Sequence, residues 1–141
     1  MTPEQVTLVQ QSFAKVVPIA DQAAVIFYDR LFEVAPQVRP MFTGDMAEQR
    51  RKLMAMLSTV VTGLSRLETI LPAASALAVR HVSYGAHPAH YPVVGSALLW
   101  TLEKGLGEAW TPEVADAWTE AYGTLSGFMI SEAYGKRAAA E

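Results

Sequence analysis

Four polar side chains interrupt stripes of apolar residues at helical spacing in this 141-residue chain: Tyr28, Gln49, His81 and Glu132. An imidazole can ligate a metal or carry a proton, a phenol and an amide can donate hydrogen bonds, and a carboxylate can accept one and tune its donor. Leaving such a group buried and unpaired costs on the order of 1–3 kcal/mol, so each needs a partner or a chemical task. His81 sits near the end of the stretch LPAASALAVRHVSYG, residues 71–85. As a helix, this stretch aligns His81 with Ala74, Leu77, Ala78, Tyr84 and Gly85, because residues three, four and seven apart share a face. The imidazole then projects from a wall of mostly small side chains, with room against it for something flat. A purely structural reading stands beside each of these assignments. His81 would be a hydrogen-bonded core residue, Tyr28 a core aromatic reaching a backbone carbonyl, Gln49 a first-turn residue at the solvent edge, and Glu132 a carboxylate turned to water.

The elements that carry these residues are helical throughout. Thr2-Pro3-Glu4-Gln5 combines a capping hydroxyl, a first-turn proline and a glutamine able to reach back to the cap, so a helix starts there and runs until Pro18 closes or bends it. A second helix over 20–33 carries Tyr28 among Ala24, Ile26, Phe27, Leu31 and Phe32. Pro36, Pro40 and Gly44 limit the next stretch to a short helical turn, pinned to the core by Val38, Met41 and Phe42. Asp45 with Glu48 forms a capping box for a long helix over 46–64, one face of which reads Gln49, Leu53, Met56, Val60. The polar SRLET segment leads to the His81 helix, for which Pro72 marks the start and Gly85 the stop. After the turn-rich GAHPAH loop come a helix over 91–106, with Val94, Leu98, Leu99 and Leu102 inward, and a last helix from Thr111-Pro112 to about Tyr134. Residues 135–141 read as a frayed tail. No stretch alternates as a half-buried strand would. The expected architecture is all-α, one domain over 1–141 with six or seven helices around a single core, and the proline-broken connection near Phe42 favours helices crossing steeply around a pocket.

Composition narrows the function. Half the residues are hydrophobic and 18% are charged, which excludes disorder and leaves apolar surface to cover a cofactor or partner. The net charge of -3 offers no attraction to nucleic acid or an anionic membrane. Without cysteine there is no disulfide, no thiolate metal site and no group attached through a C-x-x-C-H sequence. No leader or membrane-length apolar run is legible, so a cytoplasmic protein is expected.

Six fragments, in order, resemble the bacterial single-domain haemoglobins and the globin part of flavohaemoglobins. They are Phe27-Tyr28-Asp29-Arg30-Leu31-Phe32; Pro36 with Val38 and Phe42; Gln49-Arg50 with Leu53; Arg80-His81-Val82-Ser83-Tyr84; His90-Tyr91-Pro92-Val93-Val94-Gly95; and Ala117-Trp118 with Ala121-Tyr122-Gly123. The resemblance covers about residues 6–134 and implies a globin fold around non-covalently held haem b. It makes His81 the proximal iron ligand, Tyr28 and Gln49 the distal donors with Leu53 as apolar lid, and Phe42, Leu77, Tyr84 and Val94 the packing around the porphyrin. Phenol and amide donors would stabilise the partial negative charge that a diatomic ligand acquires. His87 and His90 fall in the loop after the proximal helix, where a solvated or haem-edge place is expected rather than a second axial position.

The family also sets a tyrosine and a glutamate behind the proximal histidine, where the carboxylate makes the ring more electron-rich. Tyr91 matches the first. For the second, the usual spacing from Tyr122 falls on Ala133 and the nearest acid, Glu132, comes one position early; a wider turn in the last helix would restore the contact. The resemblance therefore implies a five-coordinate haem protein that binds dioxygen and other diatomic gases. Nitric oxide dioxygenase or modest peroxidase activity would require a separate reductase, since no glycine-rich dinucleotide fingerprint appears. The expected oligomeric state is monomer or homodimer. The competing reading is a haem-free or sensory helical module, in which Tyr28, Gln49 and His81 lose their common purpose.

Overall fold

Three helices begin at caps written in the sequence. In the computed structural model, which describes residues 1–42, 44–83 and 90–132, Thr2 Oγ1 accepts from Gln5 N at 3.1 Å while Gln5 Oε1 accepts from Thr2 N at 3.0 Å. That capping box starts α1 (Pro3–Val16). Asp45 Oδ1 accepts from Ala47 N at 2.9 Å at the head of α3 (Met46–Gly63), and Thr111 Oγ1 from Val114 N at 3.2 Å at the head of α6 (Pro112–Ile130). Between them lie α2 (Ala20–Val34), α4 (Leu67–Ser83) and α5 (His90–Leu106). Single turns of tighter 3₁₀ helix occupy Val17–Ile19, Leu64–Arg66 and Gly107–Ala109, and a longer one, Pro36–Met41, forms the proline-broken connection. Among the described residues there is no strand and no helix long and apolar enough to cross a membrane.

One boundary differs from the sequence reading. α4 starts at Leu67, so Pro72 lies inside it and the SRLET segment is helical rather than a lead-in. At the sixth position a proline forfeits only the bond to the carbonyl of Glu68, and the turn at Leu64–Arg66 has already nucleated the helix. The expected stop at Gly85 and the frayed tail over 135–141 lie outside the described residues.

The most extensive helix pairs are α2 with α5 and α1 with α6, with α3 on α2 and α4 on α6. α1 and α6 are tied by a buried bond from Trp118 Nε1 to Ser12 Oγ at 2.8 Å, and that hydroxyl donates in turn to main-chain carbonyls of its own helix. α5 and α6 approach so closely at Gly95 that a Cβ there would stand 2.6 Å from Tyr122 Cε2. Gly107, the one described residue with positive φ at 53°, makes the turn after α5.

Candidate functional site

The described core divides into two apolar clusters, and the predicted site residues are distributed between them. Tyr28 belongs to the larger, with half-buried Phe42, Leu53 and Val94 packed against it; Ala74, Ala78 and Tyr91 belong to the smaller, with Leu77 packed against it.

Tyr28 is 5% exposed in the middle of α2, with its ring held edge-on to Phe27 at 4.9 Å and to Phe42 at 5.5 Å between centroids. Its oxygen accepts from Gln49 Nε2 of α3 at 3.2 Å. Two of the four singled-out polar residues are thus brought together, and neither takes its purely structural reading: the phenol meets an amide rather than a backbone carbonyl, and Gln49 faces inward. Since the amide is the donor, the phenolic proton stays directed elsewhere. Burial raises the pKa of this phenol above its ordinary value, partly offset by the Gln49 bond, so it remains a neutral donor. Beside Leu53 lies a small apolar cavity bordered by Phe27, Leu57 and Leu98, where the Thr101 hydroxyl is committed to Ala97 O at 2.8 Å.

His81 is half-buried near the end of α4, with Nδ1 2.8 Å from the carbonyl of Leu77. A carbonyl only accepts, so Nδ1 carries the hydrogen and Nε2 the lone pair, the tautomer a metal-ligating imidazole needs. Burial, reinforced by the charge of Arg80, lowers the pKa of His81 despite the opposing backbone bond, and keeps the ring neutral. Tyr91 lies near-parallel to it, 28° between planes and 6.3 Å between centroids.

Glu132 is the last described residue, where the chain after α6 takes π-helical geometry at residues 131–132. Its Oε1 accepts from Ser75 Oγ at 3.2 Å, so the half-buried carboxylate is tied to the helix that carries His81. Tyr84 and His87 lie outside the described residues, and His90 is the first residue of α5.

Three participants escaped sequence reasoning. Ser75 is one small residue among several and carried no signal. The Leu77 carbonyl is main chain, invisible to residue type. Tyr122 donates through its hydroxyl to the carbonyl of Tyr91 while its ring covers Gly95. Burial first, then the proximity of Tyr91, raises its pKa far above the ordinary phenol value.

A family model described as Globin matches residues 25–129, and the chain belongs to the globin family. Its globin domain is of the flavohaemoglobin type. A flavohemoprotein of Rhodopirellula baltica is 36% identical over 107 residues, covering 74% of this chain and 26% of that protein. One from Deinococcus radiodurans is 31% identical over 133 residues, covering 92% and 33%. The chain thus spans about a quarter to a third of the length of these relatives. A bacterial globin from Campylobacter jejuni shares the fold with a TM-score of 0.80 at 26% identity, covering 99% of this chain and 100% of that one. An engineered carbene transferase from Rhodothermus marinus shares the fold at 0.85 and 24%, covering 100% and 99%.

These relatives imply haem as the cofactor. The donor set fits it: a neutral imidazole whose hydrogen is fixed on Nδ1 in one apolar cluster, and a protonated phenol with half-buried Phe42, Leu53 and Val94 in the other.

Proposed function

We propose that this chain is a haem b protein that binds dioxygen and other diatomic gases at a five-coordinate iron, with nitric oxide dioxygenase activity when a partner reductase supplies electrons. The observation that carries the reading is the bond between His81 Nδ1 and the Leu77 carbonyl, which leaves the lone pair on Nε2 as iron ligation requires. When bound, haem supplies an iron that holds a diatomic gas and exchanges an electron with it.

The remaining tasks fall to side chains. His81 would hold the iron, and Phe42, Leu77, Tyr84 and Val94 would enclose the porphyrin. Leu53 would exclude water from the gas-binding face. Tyr28 would donate its phenolic hydrogen to the partly negative ligand, with Gln49 fixing the direction of that donation through the 3.2 Å bond to the phenol oxygen. A donor in an apolar surround interacts more strongly than one in water, which slows release and opposes loss of the ligand as an anion. Tyr91 and Glu132 would stand behind the proximal ring, and the Ser75 bond supports this by turning Glu132 toward α4. The flavohemoprotein names of the relatives support both the gas ligands and the reductase.

The test is spectroscopic and then kinetic. Purified protein should carry a haem spectrum that changes reversibly through cycles of oxygenation and deoxygenation, and no reversible change contradicts the gas-binding assignment. Sustained consumption of nitric oxide with a cellular reductase tests the enzymatic part, and a single turnover that then stops would reduce the function to ligand binding.

A further inference from the structure

We propose that the cleft between the end of α3 and the start of α4 binds a small phosphate ester of a polyol, through Arg66 and the hydroxyl groups that surround it. None of the lining residues belongs to the gas-binding site, so the inference does not rest on that reading. The last residue of α3, Gly63, is joined to α4 by the 3₁₀ turn Leu64–Arg66. A Cβ at Gly63 would overlap the side chain of Ile70, which is buried, so only glycine lets the two helices meet this closely. Where they meet is an open cavity of about 600 Å³, lined by α3, the turn and α4 together. That volume falls within the roughly 300–1,000 Å³ of small-molecule sites.

The chemistry of the lining selects the ligand. The guanidinium of Arg66 has neither a carboxylate nor another acceptor among the described residues, and its planar fork of N–H donors matches a phosphate group bidentately. The surrounding charge favours an anion. Residues 49–67 hold Arg50, Arg51, Lys52 and Arg66 and no acid, and Glu48, just before them, is paired with Lys52 at 3.6 Å. Glu68 follows in sequence but does not line the cavity. A single lining cation suits one phosphate rather than a polyphosphate. The hydroxyls of Ser58, Thr62 and Ser65 also lack a partner among the described residues, and each can both donate and accept. Those of Thr59 and Thr69 donate to Ala55 O at 3.0 Å and Arg66 O at 2.7 Å and keep their capacity to accept. Exposed hydroxyls are ordinary singly; here three elements bring them to one cavity that also holds the arginine. They complement the hydroxyls of a polyol. No lining residue is aromatic, so a nucleobase would find nothing to stack on.

Isothermal titration calorimetry of the purified protein in phosphate-free buffer tests the site, with glucose 6-phosphate, glycerol 3-phosphate, inorganic phosphate and glucose as probes. At least one of the two esters should bind saturably, one per chain, and about tenfold more tightly than inorganic phosphate, as two or three hydroxyl contacts would give. Glucose should not bind. Arg66→Gln should weaken the ester by about tenfold or more, since it removes a charge-assisted contact, and Thr62→Ala by roughly threefold. Arg51→Gln removes an exposed cation of α3 that does not line the cavity, and should leave the affinity within about twofold. All three positions are exposed, and each variant should keep the wild-type circular dichroism spectrum. Failure of both esters to saturate, an unchanged affinity in Arg66→Gln, or an equal loss in Arg51→Gln overturns the proposal. Inorganic phosphate binding as tightly as the esters overturns the part given to the hydroxyls. Haem content does not enter the readout, so failure here leaves the gas-binding reading standing, and the reverse.

Discussion

On one side of the candidate site, Tyr28 of α2 and Gln49 of α3 meet through their side chains, whereas on the other His81 is held by the main-chain carbonyl of Leu77 and Tyr91 by its own main-chain carbonyl. The distal pair is specified by residue type and is lost with a single substitution at either member. The bonds on the His81 side end on main-chain carbonyls, one within α4 and one from α6 to α5, so both survive changes at the acceptor residue and the second yields to changes in packing. In the proposed roles, the ligating residue is gripped through backbone and the tuning residues through side chains, so ligand affinity would change without disturbing cofactor attachment.

The largest effect short of losing the cofactor should come from packing on the proximal side. Gly95→Ala sets a methyl against the Tyr122 ring and should destabilise the protein by about 1–3 kcal/mol, read as a lower denaturant midpoint at unchanged slope. A midpoint equal to wild type would mean that α5 and α6 separate easily there, and the contrast between rigid and replaceable sides would weaken. On the distal side, Tyr28→Phe should speed dioxygen release about tenfold, as loss of a hydrogen bond worth ~1.5 kcal/mol requires; an unchanged rate would show that the phenol points away from the ligand. Gln49→Leu removes the amide that orients the phenol but leaves the phenol itself, so release should quicken only by roughly threefold.

The smallest effect expected is that of pH on the distal donor. Burial raises the pKa of Tyr28, so the fold favours the neutral phenol. The stability this represents is complete below the ordinary phenol value of about 10 and is lost as pH rises through the higher folded value. Dioxygen release governed by Tyr28 should therefore stay flat from about pH 7 to pH 9, and a rate that climbs across that range would contradict a protonated donor.

The same contrast separates what was legible in the sequence from what was not. Caps at Thr2, Asp45 and Thr111 announce their helices because the chemistry is confined to a few neighbouring residues. Tyr28 and Gln49 stood out as polar side chains on apolar stripes, and their meeting follows from those stripes facing each other. α4 was read as starting at Pro72 because a proline suits a first turn, yet its helix had already been nucleated by the preceding 3₁₀ turn. The bond between Ser75 and Glu132 joins residues 57 apart, and that from Tyr122 to Tyr91 joins residues 31 apart and ends on a carbonyl. Neither separation nor main-chain acceptor leaves a trace in residue type, so the proximal frame emerges only from the packed helices.

The central claim is that His81 holds haem through Nε2, and the most direct measurement is the absorption spectrum of the purified protein beside that of His81→Ala, each mixed with one equivalent of haem. Wild type should develop the strong violet porphyrin band of a histidine-ligated haem, and His81→Ala, folded by circular dichroism, should lose or grossly alter it. Identical bands from the two proteins, or a folded wild type that stays colourless, would contradict the account.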